Sequence, residues 1–418
     1  MRIVPRVCKR SLTAFSMTTL VALAVTASPV LAAQRPAAPA PAAQKPAANP
    51  GKPDLTVMTR NLYVGADILA VAGAEDAEDF LARARAFILG VAATNFPERA
   101  EALAAEIADK TPDVVGMQEV YDFKLNGFNT GAAPFVNYLD VLLAALERRG
   151  AHYRAVAKVK NADITTPVDL DGDRIPESRV SVVDHDVILV RSDLLAVPVP
   201  LGTIYPGCRV SLDGCNYNFV ANVTLPVGSI NFERGFVAAQ VQVAGKWYVV
   251  FNTHLEVETP DPDNPFSTIV QAIQATELKS VVDGVPPGPK VIMTGDFNSS
   301  PEDPIQTVPP FLQPQLPPTI HPPYRQLTAG VNFYGAPLGV GHFDAWTLRP
   351  GRPPGLTCCE EADLLNPWSV LYKRIDLVFS REAPAGVKAN VVGNSPEEKT
   401  PSGFWPSDHA GVVVRYTF

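Results

Sequence analysis

The stretch Val291-Ile292-Met293-Thr294-Gly295-Asp296-Phe297-Asn298 constrains the chain more than any other. Four residues of strand character run into a glycine turn, which then presents a carboxylate and a carboxamide two positions apart. In an extended strand Val291 and Met293 face one side, and Ile292 and Thr294 the other. Gly295 tolerates the tight path that follows. If Asp296 and Asn298 share a backbone direction, together they can grip one small polar object, such as an attacking water beside a phosphate. Asp and Asn after a strand are also ordinary turn formers, so the stretch takes its meaning from the rest of the chain.

The start of the 418-residue chain reads as a secretory signal over 1–32. Arg2, Arg6, Lys9 and Arg10 form a basic region, Leu20 to Val25 an apolar run, and Val30-Leu31-Ala32 a small-residue cleavage site. The expectation is therefore export, with no transmembrane segment after cleavage. Residues 33–53 are mostly Ala, Pro and Gln, a composition that builds no core and is expected to form an extended, disordered linker. The remainder, 54–418, is read as one large domain. Formal net charge is −8, and losing four basic residues with the signal makes the rest more acidic still. The overall field thus offers no attraction to nucleic acid or anionic lipid.

In an exported chain disulfides form readily. Cys208 and Cys215 enclose a short loop containing Asp213-Gly214, a hairpin-turn signal, so a local bridge is expected. Cys358 and Cys359 are adjacent, a spacing that rarely bridges.

Apolar runs predict strands over Leu55–Thr59, Asp113–Met117, Asp186–Val190 and Arg374–Ser380, and a last one over Gly411–Tyr416. A hairpin is predicted from Gly235 to Asn252 around Ala244-Gly245. Helical spacing recurs at Phe80, Ala84, Phe87 and Ile88, at Ala100, Leu103, Ala104 and Ile107, and at Leu139, Leu142, Leu143 and Leu146. A further helix is predicted from about Ser267 to Val282. Asp169 to Asp173 has calcium-loop-like spacing without a twelfth-position glutamate, and reads as a surface turn. Residues 301–356 are proline-rich and read as a covering loop. Strands and helices alternate without strict βαβ order, which points to mixed sheets.

Eight polar residues stand at the ends of apolar runs: Asn61, Glu119, His254, Asp296, Asn298, Asp376, Asp408 and His409. Carboxylates, carboxamides and imidazoles gathered in one cleft suit a hard divalent cation and a phosphate. The chain lacks a nucleophile-elbow serine, a Gly-rich phosphate loop and a zinc motif. His152, His185, His321 and His342 lack such context and read as structural; Arg234, just before a strand, reads as a surface arginine, with a phosphate-facing one as the alternative.

Asn61, Gln118-Glu119, Thr253-His254, Gly295-Asp296-Phe297-Asn298, Arg374-Ile375-Asp376 and Ser407-Asp408-His409 follow the motif order of the endonuclease/exonuclease/phosphatase superfamily. The chain from Asp54 to Phe418 thus resembles metal-dependent phosphoesterases, among them deoxyribonucleases, bacterial sphingomyelinases and inositol-phosphate phosphatases. The resemblance implies an α/β (α+β) four-layer sandwich, two packed mixed β-sheets flanked by helices. It implies Mg²⁺, with Mn²⁺ as the alternative, held by Glu119 with Asn61 and Asp408 close by. Asp296 would orient or deprotonate water, and Asn298 would hold water or phosphate. His254 and His409 would donate to phosphoryl oxygens, and Asp376 would fix the tautomer of His409. Whether Asp296 or His409 is the base stays open.

The leading expectation is a secreted, monomeric phosphodiesterase of the sphingomyelinase or phospholipase C kind, acting on a lipid headgroup. An extracellular endonuclease is the alternative, disfavoured by the acidic charge because backbone binding is electrostatic. A non-catalytic binding module on the same fold is the alternative of another class. Trp346, Trp368, Phe404 and Trp405 are aromatics that line a site mouth or belong to the core.

Overall fold

The computed structural model describes residues 54–418 apart from 128–130, 227, 259–264, 311 and 352. The expectations for 1–32 and 33–53 fall outside the described residues.

Two eight-stranded mixed sheets dominate. In the first, Leu55–Asn61 lies parallel to Val114–Gln118 and antiparallel to Gly411–Thr417, with Val57 opposite both Val114 and Val414. In the second, Lys246–His254 is parallel to Lys290–Asp296 and hairpins with Gly235–Val243. Asp376–Ser380 runs antiparallel on the far side of Lys290–Asp296.

Side-chain alternation explains how the sheets stack. Leu55, Val57, Val114, Ile188 and Val414 of the first sheet share one buried cluster with Val237, Val250, Ile292 and Val378 of the second. The next residues along the same strands point outward. Met58, Val115 and Met117 pack under Phe87, Ile88, Leu103, Ile107 and Leu142 of three helices. Val291, Met293, Val249 and Phe251 pack under Ala275, Leu278, Val281 and Val282 of the helix Phe266–Asp283. The order is helix, sheet, sheet, helix, the four-layer sandwich. Strands apolar on both faces are what such an arrangement requires.

Toward one end the inter-sheet seam turns polar. Gln118 Nε2 donates to Asn252 Oδ1 at 2.6 Å, and Asn252 Nδ2 donates to the carbonyl of Met117 at 2.8 Å. Gly116 permits this close approach, since a Cβ there would collide with Thr294 Oγ1 and Asn252 Oδ1. Gly116→Ala is therefore expected to cost about 1–3 kcal/mol, the usual penalty of overpacking. A denaturant melt checks this, and an unchanged midpoint would refute it.

Several expectations need correcting. The predicted strand Asp186–Val190 is the end of a long ribbon, Tyr153–Val168 paired with Ser178–Arg191. Its polar, Asp-bearing turn hides it from a reading of the sequence. Residues 301–356 hold a helix, Pro323–Ala329, and short strands. At the ribbon's tip, Asp171 to Asp173 are exposed, as expected of a surface turn, while Asp169 is buried, its carboxylate accepting from Gly172 N and Arg174 N at 2.7 Å each. The sulfurs of Cys208 and Cys215 are joined. The neighbouring Cys358 and Cys359 lie side by side next to His409, with Cys359 Sγ 3.9 Å from His409 Nε2. Trp405 and Trp346 are core residues, whereas Trp368 is 72% exposed.

Candidate active site

Strand direction gathers the site. Leu55–Asn61 and Val114–Gln118 are parallel, so both deliver their C-terminal ends, Asn61 and then Glu119, to the same edge. Lys246–His254 and Lys290–Asp296 do likewise with His254 and Asp296. Asp376–Ser380 and Gly411–Thr417 run antiparallel to these neighbours, so Asp376 and the Asp408-His409 pair enter from their N-terminal ends. In register, His254 stands opposite Asp296, and Asp296 opposite Asp376.

Asp296 Oδ2 is the hub. Asn61 Nδ2 donates to it at 3.1 Å, His254 Nε2 lies 3.4 Å away, and His409 Nε2 lies 3.8 Å away. Its other oxygen, Oδ1, accepts from Asn298 N at 2.9 Å. Asn61 Nδ2 also donates to Glu119 Oε1 at 3.0 Å within the first sheet, so that its bond to Asp296 ties the two sheets together across the cleft. Asp376 Oδ2 lies 2.8 Å from His409 Nδ1. Asn298 turns its amide to the carbonyl of Leu255 at 3.0 Å. Glu119 and Asn298 both have positive φ, 57° and 47°. Side chains other than glycine rarely sit there, and such strain clusters at functional sites.

Electrostatics differentiates the members. Burial raises the Asp296 carboxyl; His409 opposes this, while Asp376 and Glu119 add to it, leaving it at about 7. Asp408, partly exposed, is pushed up to about 7 by desolvation and by Glu119, against His409 and Arg99. Burial disfavours a charged His409, but Asp376, Asp408 and Asp296 outweigh it and hold its pKa well above the usual histidine value. His254 goes the other way, lowered far below by burial, then by Arg234 and His409.

This crowding of carboxylates suits a divalent cation, which would relieve the repulsion that adds to burial in raising Asp296 and Asp408. Glu119 accepts one hydrogen bond on each oxygen, from Asn61 Nδ2 and from Val64 N at 2.8 Å, and keeps lone pairs on both. Asn61 Oδ1 accepts from Tyr63 N at 2.9 Å and likewise retains one. Oxygen donors of this kind are what a hard cation takes.

Four supporting residues escape a reading of the sequence. Arg99 is buried and donates to the carbonyls of Leu62, Tyr63, Thr94 and Pro406, clamping the turn after Asn61 to the loop before Asp408. Arg60 pairs with Glu106 at 2.9 Å and donates to the carbonyl of His409. Asn252 fills the seam described above. Arg234, expected at the surface, has a side chain only 13% exposed and reaches His254. Their sole signal is position: Arg60 directly precedes Asn61, and Asn252 lies two residues before His254.

A family model described as the endonuclease/exonuclease/phosphatase family matches residues 84–409. Similar solved structures include an endonuclease/exonuclease/phosphatase from Beutenbergia cavernae at 20% identity and TM-score 0.46, covering 88% of this chain and 72% of that one. A humanized D. rerio TDP2 shows 16% identity and TM-score 0.43, with 87% and 99% covered. The mannosyl-6-phosphatase Bt3783 of Bacteroides thetaiotaomicron shows 16% identity and TM-score 0.43, with 87% and 100% covered. No curated protein matches the chain.

Proposed function

Because the chain belongs to the endonuclease/exonuclease/phosphatase family, we propose that it is a secreted, divalent-metal-dependent phosphodiesterase of the sphingomyelinase or phospholipase C kind. The observation that carries this is the convergence of Asn61, His254 and His409 on one oxygen of Asp296, with Glu119 beside them.

In this reading Asp296 orients the attacking water and draws off its proton, a role suited to a carboxylate near 7. His409, held charged by Asp376, and His254 donate to phosphoryl oxygens as charge builds. Asn61 holds Asp296 and Glu119 in fixed relation, and Asn298 braces Asp296 through its backbone N–H. Glu119, with Asn61 and Asp408, would hold Mg²⁺ or Mn²⁺, which when bound supplies positive charge to the phosphoryl oxygens.

Two features favour a lipid headgroup over nucleic acid. The net charge is −8, against the electrostatics of backbone binding. Leu365, Trp368, Val370 and Tyr372 are exposed on the segment that follows Cys359, which abuts His409. A panel of sphingomyelin, phosphatidylcholine, plasmid DNA, RNA and inositol phosphates, each with and without Mg²⁺, tests the assignment. Metal-dependent release of phosphorylated headgroup is the expected result; DNA or RNA cleavage with inert lipids would overturn it. A single sedimenting species of one-chain mass is expected for the monomer.

Cation binding should be linked to protons. With Asp296 and Asp408 at about 7, the metal-free protein carries protons there at neutral pH. Asp408 must ionise to hold the cation, and the cation's charge favours ionised Asp296 beside it, so binding releases protons and apparent affinity rises from about pH 6 to pH 8. Calorimetry in two buffers of different ionisation enthalpy checks this. A binding heat that ignores the buffer would contradict it.

A further inference from the structure

Arg234 Nη1 lies 3.0 Å from His254 Nδ1. A guanidinium has only N–H donors and keeps its proton throughout the range in which proteins are folded. Nδ1 must therefore accept, and an imidazole that accepts at Nδ1 carries its proton at Nε2. That Nε2 faces Asp296 Oδ2 at 3.4 Å.

We propose that Arg234 is a positioning residue that locks His254 as the neutral Nε2–H tautomer, making it a fixed, uncharged hydrogen-bond donor aimed into the cleft. What the donor meets there rests on the phosphoesterase reading; the tautomer does not.

The surroundings fit this assignment. Asp184 Oδ2 lies 3.9 Å from Arg234 and Glu256 Oε1 4.0 Å, so two carboxylates offset the guanidinium from behind. Asn161 Nδ2 donates to the same Asp184 oxygen at 3.3 Å. Neither carboxylate makes a close hydrogen bond to the guanidinium, and its Nε has no partner among the described residues. The imidazole contact is thus the short one this side chain makes. The charged and titratable groups facing His254 are Arg234 from the residue before its hairpin partner strand, Asp296 from the adjoining strand, and His409 from the loop before the last strand. Two of the three are cationic, so a second proton on His254 is opposed from both sides. The contrast with the other imidazole is chemical. His409 Nδ1 meets a carboxylate, whereas His254 Nδ1 meets a guanidinium.

The test is ¹⁵N NMR of the histidine rings in the full chain, with His254 assigned by its loss in His254→Gln. Expected is a protonated Nε2 and a bare Nδ1, unchanged from about pH 5.5 to 8, the span in which a free histidine titrates. Arg234→Lys, which can only donate, should keep this pattern. Arg234→Met should give mixed tautomers, a titration within that span, and a pH–kcat profile with an added inflection. A wild-type ring protonated at Nδ1 or at both nitrogens, or an Arg234→Met ring identical to wild type, would overturn the proposal. Should Arg234→Met fail to fold, the wild-type and Arg234→Lys spectra still decide. The spectra need no substrate: an inactive protein with the Nε2–H pattern refutes the phosphoesterase reading alone, and an active one without it refutes only the lock.

Discussion

His409→Ala and Asp296→Asn should each lower phosphodiester turnover by roughly 10²–10⁴-fold, the range for positioned acid–base groups. The geometry says why each matters. His409 is held by Asp376 at 2.8 Å and buried, so alanine removes both a donor and a positive charge from the cleft. The carboxamide introduced by Asp296→Asn would preserve the volume and the bond from Asn298 N. It would, however, remove the negative oxygen on which Asn61, His254 and His409 converge. It also ends proton acceptance from water. The double variant should lose less than the product of the single losses, because groups acting on one transition state are not additive. Steady-state kinetics on proteins with wild-type melting curves checks this; fully multiplicative losses would mean the two act separately.

Glu119→Gln should abolish metal-activated turnover. Glu119 sits at φ 57°, with one oxygen accepting from Asn61 and the other from Val64 N. A glutamine keeps the shape but is a poor ligand for a hard cation. Its NH₂ would also face one of those donors, leaving a hydrogen bond unmade at a cost on the order of 1 kcal/mol. Metal affinity should fall by more than the roughly 10–100-fold typical of losing a supporting residue around a metal. Titration calorimetry and initial rates against Mg²⁺ concentration measure both, and a variant with wild-type Mg²⁺ activation would remove Glu119 from the centre.

The layers and the site edge are legible in the sequence because both follow from local pattern. Val57 and Met58, or Ile292 and Met293, alternate between the inter-sheet core and the helix-covered faces, as their spacing implies. Polar residues that end such runs mark one edge. What stays hidden depends on partners far along the chain. Arg234 reads as solvent-facing until Asp184 and Glu256 close around it. Arg99 looks like any helix arginine, yet its role is set by Leu62 and by Pro406, 307 residues away. The ribbon from Tyr153 to Arg191 escapes notice because its buried positions, such as Ala157, Val159 and Asn161, alternate with charged residues around a loop rich in aspartate.

The most direct test is hydrolysis of bis-(p-nitrophenyl) phosphate by the full-length protein, first treated with a chelator and then titrated with Mg²⁺. The expected result is loss of turnover on chelation, saturable recovery with Mg²⁺, and no recovery in Asp296→Asn. Turnover that survives chelation unchanged, or recovery of Asp296→Asn to the wild-type rate, would contradict the account.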